Sequence, residues 1–452
     1  MKIHPHDVLL QELITSPLDE HEAVIDHLVE CADCQRRLEV FVRSGPSRLA
    51  QKVIRLDRGT LSTVDYSPVL DRATFQLQHL EVSYSRERSE ATALLAELTP
   101  HAMERWRLLV RNSQRFHTWS FCDLLLRRGH ERSLDDAALG EDLGSLGLEL
   151  TDYLEAERYG HERIEDLRAR ACSYLGNARR LRFNLRGAEE AFGRAGSHLR
   201  RGTGEPMERA QFLDLRASLL RAQGRFENAL SALRRVVTIY LEAGEKHRAG
   251  RALVKMSTVH HAMAEPEKST AVLNQALGLI DSDREPRLML CAWHNLIDDC
   301  VETGHFMEAQ RLLAKVRPLY EKFPQPSWQN PRRWVEGKIA LGLGRLELAE
   351  KHLLVARNGF LASGAAYDTA VISLDLASLY ADQGRTPELK RLVEEMVPIF
   401  SSQQIHREVL AALAVWKAAV EAERSCLDMV IGLSAYVKRA RYKPTLRFEV
   451  PE

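Results

Sequence analysis

The chain has 452 residues, 45% hydrophobic and 28% charged. That balance suits folded domains and excludes wholesale disorder, and at about 150 residues per domain it predicts about three units. The 63 Lys and Arg residues offset 63 Asp and Glu, which removes any electrostatic case for nucleic acid or a membrane surface as the main partner.

Seven cysteines, at 31, 34, 122, 172, 291, 300 and 426, are too sparse for a secreted disulfide scaffold. The N-terminal stretch lacks the apolar core of a signal peptide. No apolar run approaches the roughly 18–20 residues that span a bilayer. A cytoplasmic protein with reduced thiols is expected.

The first chemical signal in chain order is His27-x3-Cys31-x2-Cys34. Residues four apart share a helix face, so His27 and Cys31 converge, and Cys31 and Cys34, three apart, let a helix end and the next helix start grip one ion. Two thiolates and an imidazole suit tetrahedral zinc, which needs a fourth ligand. His4 and His6 are candidates; His21 is poorer, because it points off that face. The segment 1–43 resembles the zinc-binding anti-sigma domain, with H-x3-C-x2-C and a further ligand near the chain start. His4 lies 23 residues before His27 and precedes Pro5, so the resemblance favours it over His6. A unit this small needs a metal or another staple. The resemblance implies three short helices, bound zinc and a sigma factor as partner. The chain departs from the usual anti-sigma plan in having no transmembrane helix and in carrying a long repeat array.

Residues 44–85 read as a linker with a connecting helix, and 86–165 as degenerate helical repeats or an N-terminal cap. From residue 166 a frame recurs: Ala188/Phe192/Ala195, Ala229/Leu233/Val236, Ser269/Leu273/Ala276, Ala309/Leu313/Val316, Ala349/Leu353/Ala356 and Leu389/Val393/Met396. The first step is 41 residues and the next four are 40. Gly224, Gly304, Gly344 and Gly384 each stand five residues before their frame, where a left-handed residue would end a first helix. Pro266 and Pro387 fall near the start of second helices. Each copy therefore reads as two antiparallel amphipathic helices that bury their stripe only by stacking. Residues 166–404 resemble the tetratricopeptide family, with six copies. The standard repeat is about 34 residues, so the longer period implies longer helices or connectors.

That resemblance implies an all-α fold: a right-handed helical solenoid whose first helices line a concave groove. Matching groove positions nominates Asn177, Arg180, Asp214, Ser218, Arg221, Thr258, His261, His294, Asp298 and Lys338 as partner-binding residues. Residues 405–441 read as capping helices and 442–452 as a frayed tail, with Lys438-Arg439-Ala440-Arg441 a solvated helix end.

There is no P-loop, no G-x-S-x-G and no Cys/His nucleophile pair. Gly342-Leu-Gly344 lies inside the repeat pattern without a preceding strand. The expectation is a binding protein without catalytic activity: a regulatory adaptor whose zinc unit contacts a transcription component, such as a sigma factor, while the array binds a peptide or protein. The alternative is a scaffold for a complex unrelated to transcription, with zinc only stabilising the N-terminus. Direct DNA binding is disfavoured by the absence of a basic recognition helix.

Overall fold

The computed structural model describes residues 84–402 and 427–442, together with residues 27, 31, 33, 34, 37, 409, 413, 414, 416, 417, 420 and 446–448. No strand occurs among the described residues. The chain divides into two compact units, Met1–Leu124 and Leu125–Glu452.

In the first unit, residues 84–98 (α1) and Met103–Asn112 (α2) are helical. They bury Ala91, Leu98, Trp106 and Val110, and Phe116 and Phe121 are buried with ring centroids 5.2 Å apart. The Trp106 indole N–H donates to the His101 carbonyl at 3.0 Å, which satisfies the polar edge of a buried ring. Helix α3 spans Trp119–Arg132.

The second unit continues with α4 (Ala137–Leu150) and the short α5 (Ala156–Tyr159). Six helix pairs follow: α6/α7 (His161–Leu181, Leu185–Leu199), α8/α9 (Pro206–Ala222, Phe226–Glu242), α10/α11 (Lys246–Ala262, Pro266–Leu277), α12/α13 (Pro286–Glu302, Phe306–Glu321), α14/α15 (Pro326–Gly342, Leu346–Ala362) and α16/α17 (Ala366–Asp382, Thr386–Ser402). Helix α18 is Leu427–Ala440.

The 40-residue period has a simple origin. Most of these helices are 17 residues long and most connections are three. The third pair keeps the period differently, offsetting a 12-residue α11 with the loop 278–285. All the frame residues named above are buried, none more than 8% exposed. Stacked this way, the pairs form a tetratricopeptide-like helical solenoid.

The first helices end alike. In α8 the Gly224 N–H donates to the Arg221 carbonyl at 3.0 Å and the Arg225 N–H to Leu220 at 2.8 Å. This is a Schellman ending with a left-handed residue at its centre, and Gly224 has φ 70°. Two copies reach the same conformation without glycine: Phe183 at φ 60° and Ala264 at φ 57°. Packing of the neighbouring helices imposes the ending even where a Cβ strains it. A side chain in this region costs about 1–2 kcal/mol, offset by glycine's larger loss of chain entropy, about 0.5–1 kcal/mol. Ala264→Gly is therefore expected to stabilise the fold by about 0.5–1 kcal/mol in urea denaturation; a loss of stability would show that Ala264 is unstrained.

Neighbouring first helices touch one another along the array, whereas neighbouring second helices make little or no such contact. The stack therefore curves with its first helices inside. Helix α18 returns to pack on α16, burying Val430, Leu433, Tyr436 and Val437. Of the tail beyond it, residues 446–448 are described: Tyr436 donates to the Leu446 carbonyl at 2.9 Å, and its ring lies 5.4 Å from that of Phe448. Leu446 and Phe448 carry apolar surface that the core can cover.

Candidate functional site

The inner face places the nominated residues on successive first helices, and they do not behave alike. On α6, Asn177 is buried and its side-chain oxygen accepts from Arg180 at 2.9 and 3.2 Å. Burial, with Arg221 nearby, pulls the Arg180 guanidinium down to about 10. On α8, Asp214 pairs with Lys255 of α10 at 2.7 Å. The Ser218 and Thr258 hydroxyls donate to their own helices, to the carbonyls of Asp214 and Lys255. His294 turns toward the second helix α13, with Nδ1 2.7 Å from the Tyr320 hydroxyl, and burial lowers its pKa.

The structure gathers His261, Asp298 and Lys338 into one network across α10, α12 and α14. Lys338 Nζ lies 2.7 Å from Asp298 and 2.9 Å from Glu302. His261 lies 3.7 Å from both Asp298 and Asp299. Burial alone would raise the Asp298 carboxyl, but Lys338 and His261 outweigh it and hold Asp298 well below the usual carboxylate range. Burial likewise opposes the charge on Lys338, yet Asp298, Glu302 and Asp375 keep it above the usual lysine range. The Asp299 carboxylate raises His261 against the cost of burial.

Several groove residues escaped the sequence reading: Lys255, Glu302, Trp334 and Asp375. The Trp334 indole donates to Asp375 at 2.7 Å, and Lys338 lies 5.4 Å from the centre of the Trp334 ring. Asp375 is raised by burial, with Lys338 opposing. A signal for them did exist. Asp298–Lys338 are 40 residues apart, and Asp214–Lys255 and Trp334–Asp375 are 41 apart. Polar partners one repeat apart face each other across neighbouring first helices.

In the first unit, His27, Cys31 and Cys34 come together, their ligand atoms all within 4.8 Å of one another. His27 Nε2 is 3.4 Å from Cys34 Sγ. Tetrahedral zinc with these ligands sets donor separations of about 3.6–3.8 Å, so the three donors need only small shifts to share one ion. The Cys34 backbone N–H lowers the Cys31 thiol, while burial raises Cys34. His4, the expected fourth ligand, lies outside the described residues.

No helix among the described residues is long and apolar enough to cross a membrane. No family model matches the chain, and no curated protein matches it in sequence. Solved structures do resemble it. A Rap protein complexed with Competence and Sporulation Factor has a TM-score of 0.54 at 13% identity, covering 71% of this chain and 87% of that one. Aspartyl phosphate phosphatase F from Bacillus subtilis has a TM-score of 0.50 at 12% identity, covering 90% of this chain and 96% of that one. At such identities the likeness shows the fold, an all-helical repeat solenoid.

Proposed function

We propose that the chain is a bacterial, cytoplasmic regulatory adaptor that acts by binding and not by catalysis. Its array docks a peptide or an extended protein segment on the inner face. The observation that carries this reading is the row of paired charges along successive first helices, Asp214–Lys255 and Asp298–Lys338. Such a row offers alternating hydrogen-bond partners to an extended chain. The Rap protein of similar fold, solved with Competence and Sporulation Factor, supports the choice of ligand class.

The N-terminal unit, in this reading, holds zinc through His27, Cys31 and Cys34, with His4 as the fourth ligand, and contacts a sigma factor. When bound, the ion would clamp the short helices together. Purified full-length protein is expected to carry about one zinc per chain by elemental analysis, and Cys34→Ser or His27→Ala to lose it. Wild-type protein that stays metal-free after purification with added zinc would remove this part of the reading. Affinity capture with the full chain followed by mass spectrometry should recover a sigma factor or RNA polymerase. Capture lacking both would refute the transcription role while leaving peptide docking to be judged separately.

A further inference from the structure

The end of α18 lies inside the array. Lys438 Nζ is 3.2 Å from Glu302 of α12. Arg441 is 3.1 Å from Asp368 of α16 and 5.9 Å from the centre of the Tyr367 ring. The Tyr442 hydroxyl is 3.4 Å from Arg221 of α8, and its ring packs edge-on against Phe226 at 5.6 Å. A Cβ on Gly224 would sit 2.6 Å from the Tyr442 carbonyl oxygen, whereas the equivalent Gly304, Gly344 and Gly384 have nothing within 4 Å. One five-residue stretch thus meets three first helices that are far apart in sequence. In the run expected to be a solvated helix end, Lys438, Arg439 and Arg441 are exposed, and Lys438 and Arg441 are also ion-paired.

The charge around this stretch is uneven. The carboxylates of Asp298, Asp299, Glu302, Asp368 and Asp375 outnumber the nearby cations Lys338 and His261, and Lys438 and Arg441 narrow that difference. We infer that this part of the inner face is built for a short cationic segment ending in an aromatic residue, and that the chain's own Lys438–Tyr442 occupies the place such a partner would take. The inference rests on the docking function proposed above and names the ligand's chemistry. Half-exposed ion pairs are individually weak, so the segment holds its place mainly because tethering makes its local concentration high. A partner of the same chemistry exchanges with it without disturbing the buried side of α18.

The probe is a labelled Lys-Arg-Ala-Arg-Tyr peptide, blocked at both ends, titrated by fluorescence anisotropy into the full-length chain. The triple variant Lys438→Ala, Arg441→Ala, Tyr442→Ala is expected to bind it about tenfold tighter than wild type, because the tethered competitor is gone. Adding Glu302→Gln and Asp368→Asn should return binding to the weak level. Equal affinity of wild type and triple variant overturns the inference. If the triple variant instead prefers a Glu-Glu-Ala-Glu-Tyr peptide, the cationic assignment falls and peptide docking stands. A second measurement does not depend on that variant folding. Hydrogen exchange at residues 438–442 should speed up in Gly224→Ala and not in Gly304→Ala, which carries similar backbone strain without the Tyr442 contact. Equal exchange in the two would show that the segment is not seated there.

Discussion

Lys338→Met should destabilise the second unit by about 2–3 kcal/mol, one of the two largest effects expected in this protein. The lysine is mostly buried between Asp298 and Glu302, at 2.7 and 2.9 Å. Methionine keeps the aliphatic stem but leaves two neighbouring carboxylates facing each other. Removing one partner of a buried pair costs more than the pair is worth, because the remaining charge stays desolvated. The pH dependence supplies an independent sign. In the wild type both carboxylates are held below their usual range by Lys338. Their contribution is therefore present above about pH 4 and lost as pH falls below it. Without the lysine, burial and mutual repulsion raise them. The variant should then gain stability relative to wild type as pH falls from about 6 toward 4. Denaturant melts of both proteins across that range test this; parallel curves would mean that Lys338 does not govern these acids. Asp298→Asn added to Lys338→Met should recover part of the loss, since it removes the repulsion.

Acid should separately cost the fold up to about 3 kcal/mol through His130. The ring stacks on Tyr174, with centroids 4.3 Å apart and planes within 7°, and its Nδ1 is buried without a hydrogen-bond partner. Burial, with Lys255 and Arg251 adding to it against Asp214, pushes its pKa down to about 4. An unfolded histidine titrates near about 6.5. Between those values the unfolded chain binds the proton that the folded chain refuses, so stability falls as pH drops through this window. His130→Phe retains a ring for Tyr174 and cannot titrate. The variant should lose less stability than wild type between about pH 6.5 and 4. The difference between the two proteins isolates this residue from the carboxylates that titrate nearby, and identical slopes would contradict the assignment.

The candidate site was legible in unequal parts. The spacing of His27, Cys31 and Cys34 announced their convergence, because three donors so near in sequence need no long-range contact to meet. The groove nominations rested on repeat positions, which say where a residue sits along its helix and not what it touches. Hence His294 stood among them although it turns to Tyr320. Glu302 and Lys255 went unremarked, although Glu302 shares Lys338 with Asp298 and Lys255 is the partner of Asp214. Comparing opposite charges one period apart would have found Lys255 beside Asp214. No local pattern could have placed Lys438 beside Glu302, 136 residues away, or Tyr442 beside Arg221, 221 residues away.

The six-fold frame and the glycines before it were enough to establish the helix pairs, because each pair's apolar stripe is a local periodicity that only stacking can bury. The left-handed endings at Phe183 and Ala264, the return of α18 and the packing of Leu446 and Phe448 against the core were decided in tertiary structure. These features depend on which surfaces a curved stack brings within reach, and curvature sums small rotations over many copies. No single copy carries that information in its residues.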